Sequence, residues 1–146
     1  DAATPLTEKL TLERRALIGR EAKVDLVLSI HANAAPANAA GMLVFHWPEA
    51  LVGQVVARAI QAAAPRRLAR HTATGEVRTD PYPADQSWPR VRNVLRMHHA
   101  PAVLVECGFL TNAKDADSLV DPVVRSELVA AMVLGVQAGI AAIGGA

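Results

Sequence analysis

Two residues of this chain, His31 and Glu106, have side chains able to ligate a metal and to transfer a proton. His31 closes a nearly continuous apolar run at residues 25–31 (DLVLSIH) and is followed by Ala32 and Asn33. A neutral imidazole at a strand end is well placed to ligate a metal, and it serves equally well as a structural histidine with satisfied hydrogen bonds. Glu106 follows Ala102, Val103, Leu104 and Val105 in a run that reads as a buried strand. A lone carboxylate there is costly unless it is paired, protonated or held near a metal. Burial raises its pKa toward the range of a general base or acid, whereas an ion pair with an arginine would make it structural.

The remaining candidates are weaker. His46 stands beside Trp47, His71 falls in an irregular stretch, and His98 and His99 are adjacent, so in a strand they would face opposite sides. All four read as solvated or capping side chains. Alternation turns Cys107 away from Glu106, as a small buried apolar residue. Ser29 lacks the Gly-x-Ser-x-Gly setting of a nucleophile elbow, and no phosphate-cradling glycine motif is present. Gly108 and Asn112 read as structural parts of a tight turn.

These residues must be positioned by alternating helices and strands. Residues 11–23 have helical spacing, with Leu12, Ala16, Gly19 and Ala22 on one face. Residues 25–31 and 41–46 read as strands, with loop composition at 33–40 between them. A helix opens at Pro48, runs to about Ala64 with Leu51, Val55, Ala59 and Ala62 inward, and stops at Pro65. Residues 66–90 are irregular, with Gly75, Pro81, Pro83 and Pro89, and a long loop in a compact domain is usually functional. Residues 91–96 read as a short strand and 101–107 as the strongest strand of the chain. Short and long helices follow at 113–120 and from Pro122 to about Ile143. The pattern implies one α/β domain over residues 1–146, with ligands outside the carboxyl ends of the strands, where His31 and Glu106 lie.

Composition agrees with one globular domain: 146 residues, 51% hydrophobic and 20% charged. A formal net charge of +1 argues for neither nucleic acid nor an anionic membrane as partner. Arg66, Arg67 and Arg70 read as a solvated helix end. The single cysteine precludes an intrachain disulfide. No uninterrupted apolar run reaches the roughly 20 residues of a membrane span, and the stretch at 129–143, broken by Gly135 and Gly139, reads as a packed core helix.

Two long motifs then resemble a known family. Residues 12–15 (LERR) and 25–33 (DLVLSIHAN) resemble the "L-x-x-R … A-D-L-x-x-S-I-H-A-N" signature of the zinc-dependent N-acetylmuramoyl-L-alanine amidases, type 3 catalytic domain. Residues 41–45 (GMLVF) resemble the glycine-led strand that follows. Residues 94–96 (VLR) and 101–112 (PAVLVECGFLTN) resemble "V-L-R … P-x-x-L-V-E-x-G-F-x-x-N". Order and approximate spacing agree over nearly the whole chain, least well at 66–90.

The resemblance implies a three-layer α/β sandwich with a mostly parallel or mixed central sheet flanked by helices. It implies a Zn2+ ion held by two histidines and a glutamate, with water in an open position. His31 matches the second histidine ligand and Glu106 the catalytic glutamate; substrate-binding residues are not identified. It implies a peptidoglycan hydrolase that cuts the amide between the lactyl group of N-acetylmuramic acid and L-alanine of the stem peptide, with residues 66–90 as a wall of the groove. Location in the cell envelope, periplasmic or extracellular, follows from the substrate. An activator protein or accessory wall-binding domain is compatible with this reading and not visible in the sequence.

The departures are specific. The family's first zinc ligands, a histidine in a glycine-rich turn and a glutamate on the next helix, lie before the "L-x-x-R" segment and have no counterpart here. Gly19 and Arg20 replace the family's Ala-Asn, without a functional account. The expectation is a partial domain lacking its N-terminal strands, with a sheet edge and apolar surface uncovered. Two alternatives stand beside the amidase: a non-catalytic peptidoglycan-binding or regulatory module, and another zinc hydrolase such as a carboxypeptidase.

Overall fold

The computed structural model describes residues 10–47, 49–69, 78–79, 95 and 99–144. Four strands, β1 (Val27–Asn33), β2 (Leu43–His46), β3 (Arg78–Thr79) and β4 (Ala102–Phe109), form one sheet in the order β1-β4-β2-β3. β1 runs parallel to β4, β2 antiparallel to β4, and β3 parallel to β2. The helices are α1 (Leu12–Glu21), α2 (Leu51–Ala62), α3 (Ala113–Val120) and α4 (Pro122–Gly144). The chain thus adopts the expected α/β architecture, a mixed sheet flanked by helices.

β4 lies inside the sheet and carries an apolar cluster on each face, which is why its sequence is apolar almost throughout. Val103, Val105 and Cys107 face a core built with Met42, Val44, Val56, Ile60, Leu128 and Met132 from the neighbouring strand and from α2 and α4. Each fully buried valine contributes about 1.5–3 kcal/mol of transfer free energy. The opposite face carries a smaller cluster in which Leu43, Phe45, Leu104 and Phe109 meet Leu95.

Several boundaries differ from the sequence reading. β1 continues to Asn33 and β4 to Phe109, so His31 and Glu106 lie inside their strands rather than at the ends, and Gly108 belongs to the strand rather than to the turn. Of residues 91–96 only Leu95 is described, and its backbone is helical, against a strand there. In α2 the buried face is Gly53, Val56, Ala57 and Ile60, while Leu51 and Val55 are exposed. α2 is amphipathic: Gln54, Arg58 and Gln61 form a polar stripe and the buried face lies opposite it, whereas Leu51 and Val55 flank that stripe. At Gly53, on the buried face, an added Cβ would lie 3.4 Å from the Ala102 carbonyl.

α4 is likewise not the packed core helix that composition predicts. It is long and apolar enough to cross a membrane, with a mean hydropathy of 1.8, and only 28% of that window is buried. Val124, Leu128, Ala131 and Met132 face the core, while Val129, Val133, Leu134 and Ile140 are exposed. Gly135 and Gly139 mark its crossing with α2, where an added Cβ would collide with Ile60 and Val56 respectively. Among the described residues β1 and β3 are the two edge strands, and Ile30, on the helix-covered side of β1, is 59% exposed.

The turns around the strand ends are fixed by side chains. Asn112 caps α3 by accepting from the backbone N–H groups of Lys114 and Asp115, and its amide donates to the Ala37 carbonyl at 2.9 Å. Thr111 Oγ1 accepts from the Ala35 N–H at 3.2 Å. Asp115 is buried, and one carboxylate oxygen accepts from the backbone N–H groups of Gly41 (2.7 Å) and Phe109 (3.0 Å). Residues 34–41 are thus tied down at the carboxyl ends of β1 and β4.

Candidate active site

The pairing of β1 with β4 decides the site. In their parallel register Ser29 is opposite Leu104 and His31 opposite Glu106, while from the other side Leu43 of β2 is opposite Glu106. Register partners project to the same side of a sheet, so His31, Glu106 and Leu43 share one face. Ser29, two residues before His31, shares it too. The structure therefore brings together the two residues singled out from the sequence, from segments that are remote along the chain.

Their environments differ. His31 is exposed, and its Nε2 shares a hydrogen bond of 2.8 Å with Ser29 Oγ. Glu106 is half-buried, and its Oε2 is fully buried without a hydrogen-bond partner among the described residues. Desolvation raises the Glu106 pKa above its ordinary value. No ion pair among the described residues reaches it, so the arginine account of this carboxylate has no support there. Cys107 faces the other way, into the core. Burial first, and the Glu106 charge second, push its thiol up to about 11. It remains a protonated thiol at neutral pH, a poor nucleophile.

The other sequence candidates lie elsewhere. His46 is buried rather than solvated; it pairs in register with Val103, on the helix-covered face, and its Nδ1 donates to the Trp47 carbonyl at 2.8 Å. His99 is exposed, and His71 and His98 lie outside the described residues. Arg67 is not merely solvated but pairs with Asp121 at 2.6 Å; Arg66 is exposed, and Arg70 lies outside the described residues. The groove wall expected from residues 66–90 is described only at 66–69 and 78–79. Of these, Leu68 is buried in the core on the helix-covered face, away from Glu106.

Ser29 and Asp115 are the two polar residues here that motif reasoning does not single out. For Ser29 a signal exists: Ser-x-His in a strand puts both side chains on one face. For Asp115 the signal is partial, since an acid three residues after an Asn cap reads as a first-turn carboxylate but not as a brace to Gly41.

The fit of this face to a metal rests on its donors. An imidazole with one nitrogen engaged by a hydroxyl offers its other nitrogen as a ligand, and an unpartnered buried carboxylate oxygen beside it suits a base. Among the described residues no group of three or more His, Cys, Asp or Glu side chains is gathered as a ligand set. The described residues thus offer one imidazole donor beside one carboxylate, which by themselves do not make up a ligand set.

Known folds resemble this one closely. The chain superposes on the N-acetylmuramyl-L-alanine amidase Ami1 of Mycobacterium smegmatis with a TM-score of 0.74 at 22% identity, over 96% of this chain and 65% of that one. For Ami1 of Mycobacterium abscessus the TM-score is 0.72 at 24% identity, over 94% and 65%. For the CwlD amidase of Clostridioides difficile, solved in complex with the GerS lipoprotein, it is 0.70 at 23% identity, over 97% and 71%. The chain thus spans just under two thirds of the length of the Ami1 chains. No curated protein matches it. These likenesses establish the fold, and the sequence profile that matches establishes more: it covers residues 3–138, so the chain belongs to the N-acetylmuramoyl-L-alanine amidase family.

Proposed function

We propose that the protein carrying this chain is a peptidoglycan hydrolase that cleaves the amide between the lactyl group of N-acetylmuramic acid and L-alanine of the stem peptide. The observation that carries the reading is the juxtaposition of His31 with a half-buried Glu106 whose Oε2 has no partner among the described residues. A carboxylate kept in that state raises the cost of folding, and proton transfer is the use that repays it.

His31 serves as one zinc ligand, the others coming from outside the described residues. When bound, zinc supplies Lewis acidity, polarising the scissile carbonyl and lowering the pKa of a water. Glu106 accepts a proton from the attacking water. The carbon–nitrogen bond then breaks, and the Glu106 carboxyl returns the proton to the departing L-alanine amine. The raised pKa suits both halves of this exchange, because the group must take a proton and release it within one turnover. The lactyl product leaves as a carboxylate.

The substrate places the protein in the cell envelope, on the periplasmic or extracellular side. An activator protein is a further partner on this reading, by analogy with the CwlD amidase of Clostridioides difficile, which was solved in complex with the GerS lipoprotein. The test is digestion of purified peptidoglycan by the full-length protein, followed by mass spectrometry of the soluble products. Stem peptides with a free L-alanine amino terminus, formed with zinc and lost on chelation, are expected. Products cut within the peptide would instead indicate a carboxypeptidase or endopeptidase. Retention on the wall without any product would indicate a binding module.

A further inference from the structure

We infer that Ser29 is a positioning residue for His31: its hydroxyl occupies Nε2 and so leaves Nδ1 as the nitrogen that His31 offers to a metal. The inference rests on the metal-ligand reading of His31 and goes beyond it by assigning the ring nitrogens. Three observations carry it. Ser29 and His31 stand two residues apart on β1, so both side chains project from one face of the sheet. Their Oγ and Nε2 atoms are 2.8 Å apart, a well-formed hydrogen bond. His31 is exposed, so packing does not fix its ring, and the Ser29 contact is the one that does among the described residues.

The chemistry follows from the two-sidedness of imidazole. A neutral ring has one protonated nitrogen and one lone pair, and the partner of the first decides which nitrogen the second occupies. A hydroxyl oxygen accepts well, so Nε2–H donating to Ser29 Oγ puts the lone pair on Nδ1. Such an arrangement also lowers the entropy lost when a metal captures the ring, because the rotamer is already restricted. Glu106 faces the same side of the sheet one strand away, so the ring is fixed beside the carboxylate before any metal arrives.

The test has two readouts on the full-length protein. In the metal-free, 15N-labelled protein, with the His31 ring neutral and its signals assigned through His31→Ala, long-range proton–nitrogen correlation spectra should show Nε2 protonated. Ser29→Ala should shift His31 toward a mixture of tautomers, and Ser29→Thr, which keeps the hydroxyl, should restore the wild-type pattern. Zinc affinity, measured by competition with a chromogenic chelator, should fall about 10- to 100-fold in Ser29→Ala and recover in Ser29→Thr. A wild-type ring protonated at Nδ1, or a Ser29→Ala spectrum identical to wild type, overturns the inference. So does wild-type zinc affinity in Ser29→Ala. A wild-type protein that binds no zinc but shows the Ser29-dependent tautomer would instead refute the zinc reading and leave the Ser29–His31 pairing standing. Circular dichroism confirms that each variant is folded.

Discussion

Strand β4 turns Val103, Val105 and Cys107 to one side and Leu104 and Glu106 to the other, and the two sides are built differently. On the first, α2 and α4 close over the strand and leave the valines with no solvent exposure. On the second, the apolar cluster stops short of Glu106, and an exposed histidine, not another aliphatic side chain, faces it from β1. The packed side holds the backbone of β4 rigid, and the open side uses that rigidity to keep a carboxylate in a position that is costly for folding. Stability and chemistry are thus separated by one step of the pleat.

That separation yields predictions of decreasing size. Glu106→Gln should lower turnover on peptidoglycan by about 10²- to 10⁴-fold, the usual worth of a general base. Its unfolding midpoint in urea should stay the same or rise, since a poorly solvated charge is removed. Retained turnover would place the chemistry off this face. Asp115→Ala should cost about 3 kcal/mol in urea unfolding, because the buried N–H groups of Gly41 and Phe109 lose their acceptor. Val105→Ala, on the packed side, should cost about 2 kcal/mol by the same measurement, from lost transfer free energy plus a cavity. Its turnover per folded molecule should be unchanged; a large drop would mean that the two sides are not separable.

The smallest effect is a pH dependence. Glu106 has a folded pKa above its ordinary value of 4.5, so between the two values the folded chain holds a proton that the unfolded chain has lost. Stability from this group is therefore fully present below 4.5 and is lost as pH rises through the folded pKa. In the metal-free protein, the difference in unfolding free energy between wild type and Glu106→Gln should change across that window in this direction. A flat difference would mean that Glu106 is better solvated than its buried Oε2 indicates.

The packed side of β4 was legible in the sequence because burial on both faces leaves a continuous apolar run, and a single carboxylate stands out within it. His31 and Glu106 were legible for the same reason, as polar residues in apolar strands. Their adjacency followed from the family resemblance alone, since nothing local states that β4 inserts between β1 and β2. The phase of α2 was misread because Leu51 and Val55 are apolar but flank the polar stripe of Gln54, Arg58 and Gln61, and the stripe opposite those three residues is the one that is buried. Asp115 was illegible as a brace because the donors it accepts from, the N–H groups of Gly41 and Phe109, are backbone groups with no residue signature.

The braces between the loop after β1 and the segment after β4 join residues 74 to 76 positions apart, and the β1–β4 pairing spans a comparable stretch of chain. No local piece of the sequence can rehearse this site. It comes into being only when a long loop closes, which makes folding slow for a domain of this size and makes the His31–Glu106 pair a late product of it. The same topology is lenient about what the loop contains. Closure entropy grows only logarithmically, and doubling the intervening length costs about 0.6 kcal/mol. Insertions between α2 and β4 can therefore reshape the surroundings of Glu106 over evolutionary time while leaving the pair itself intact.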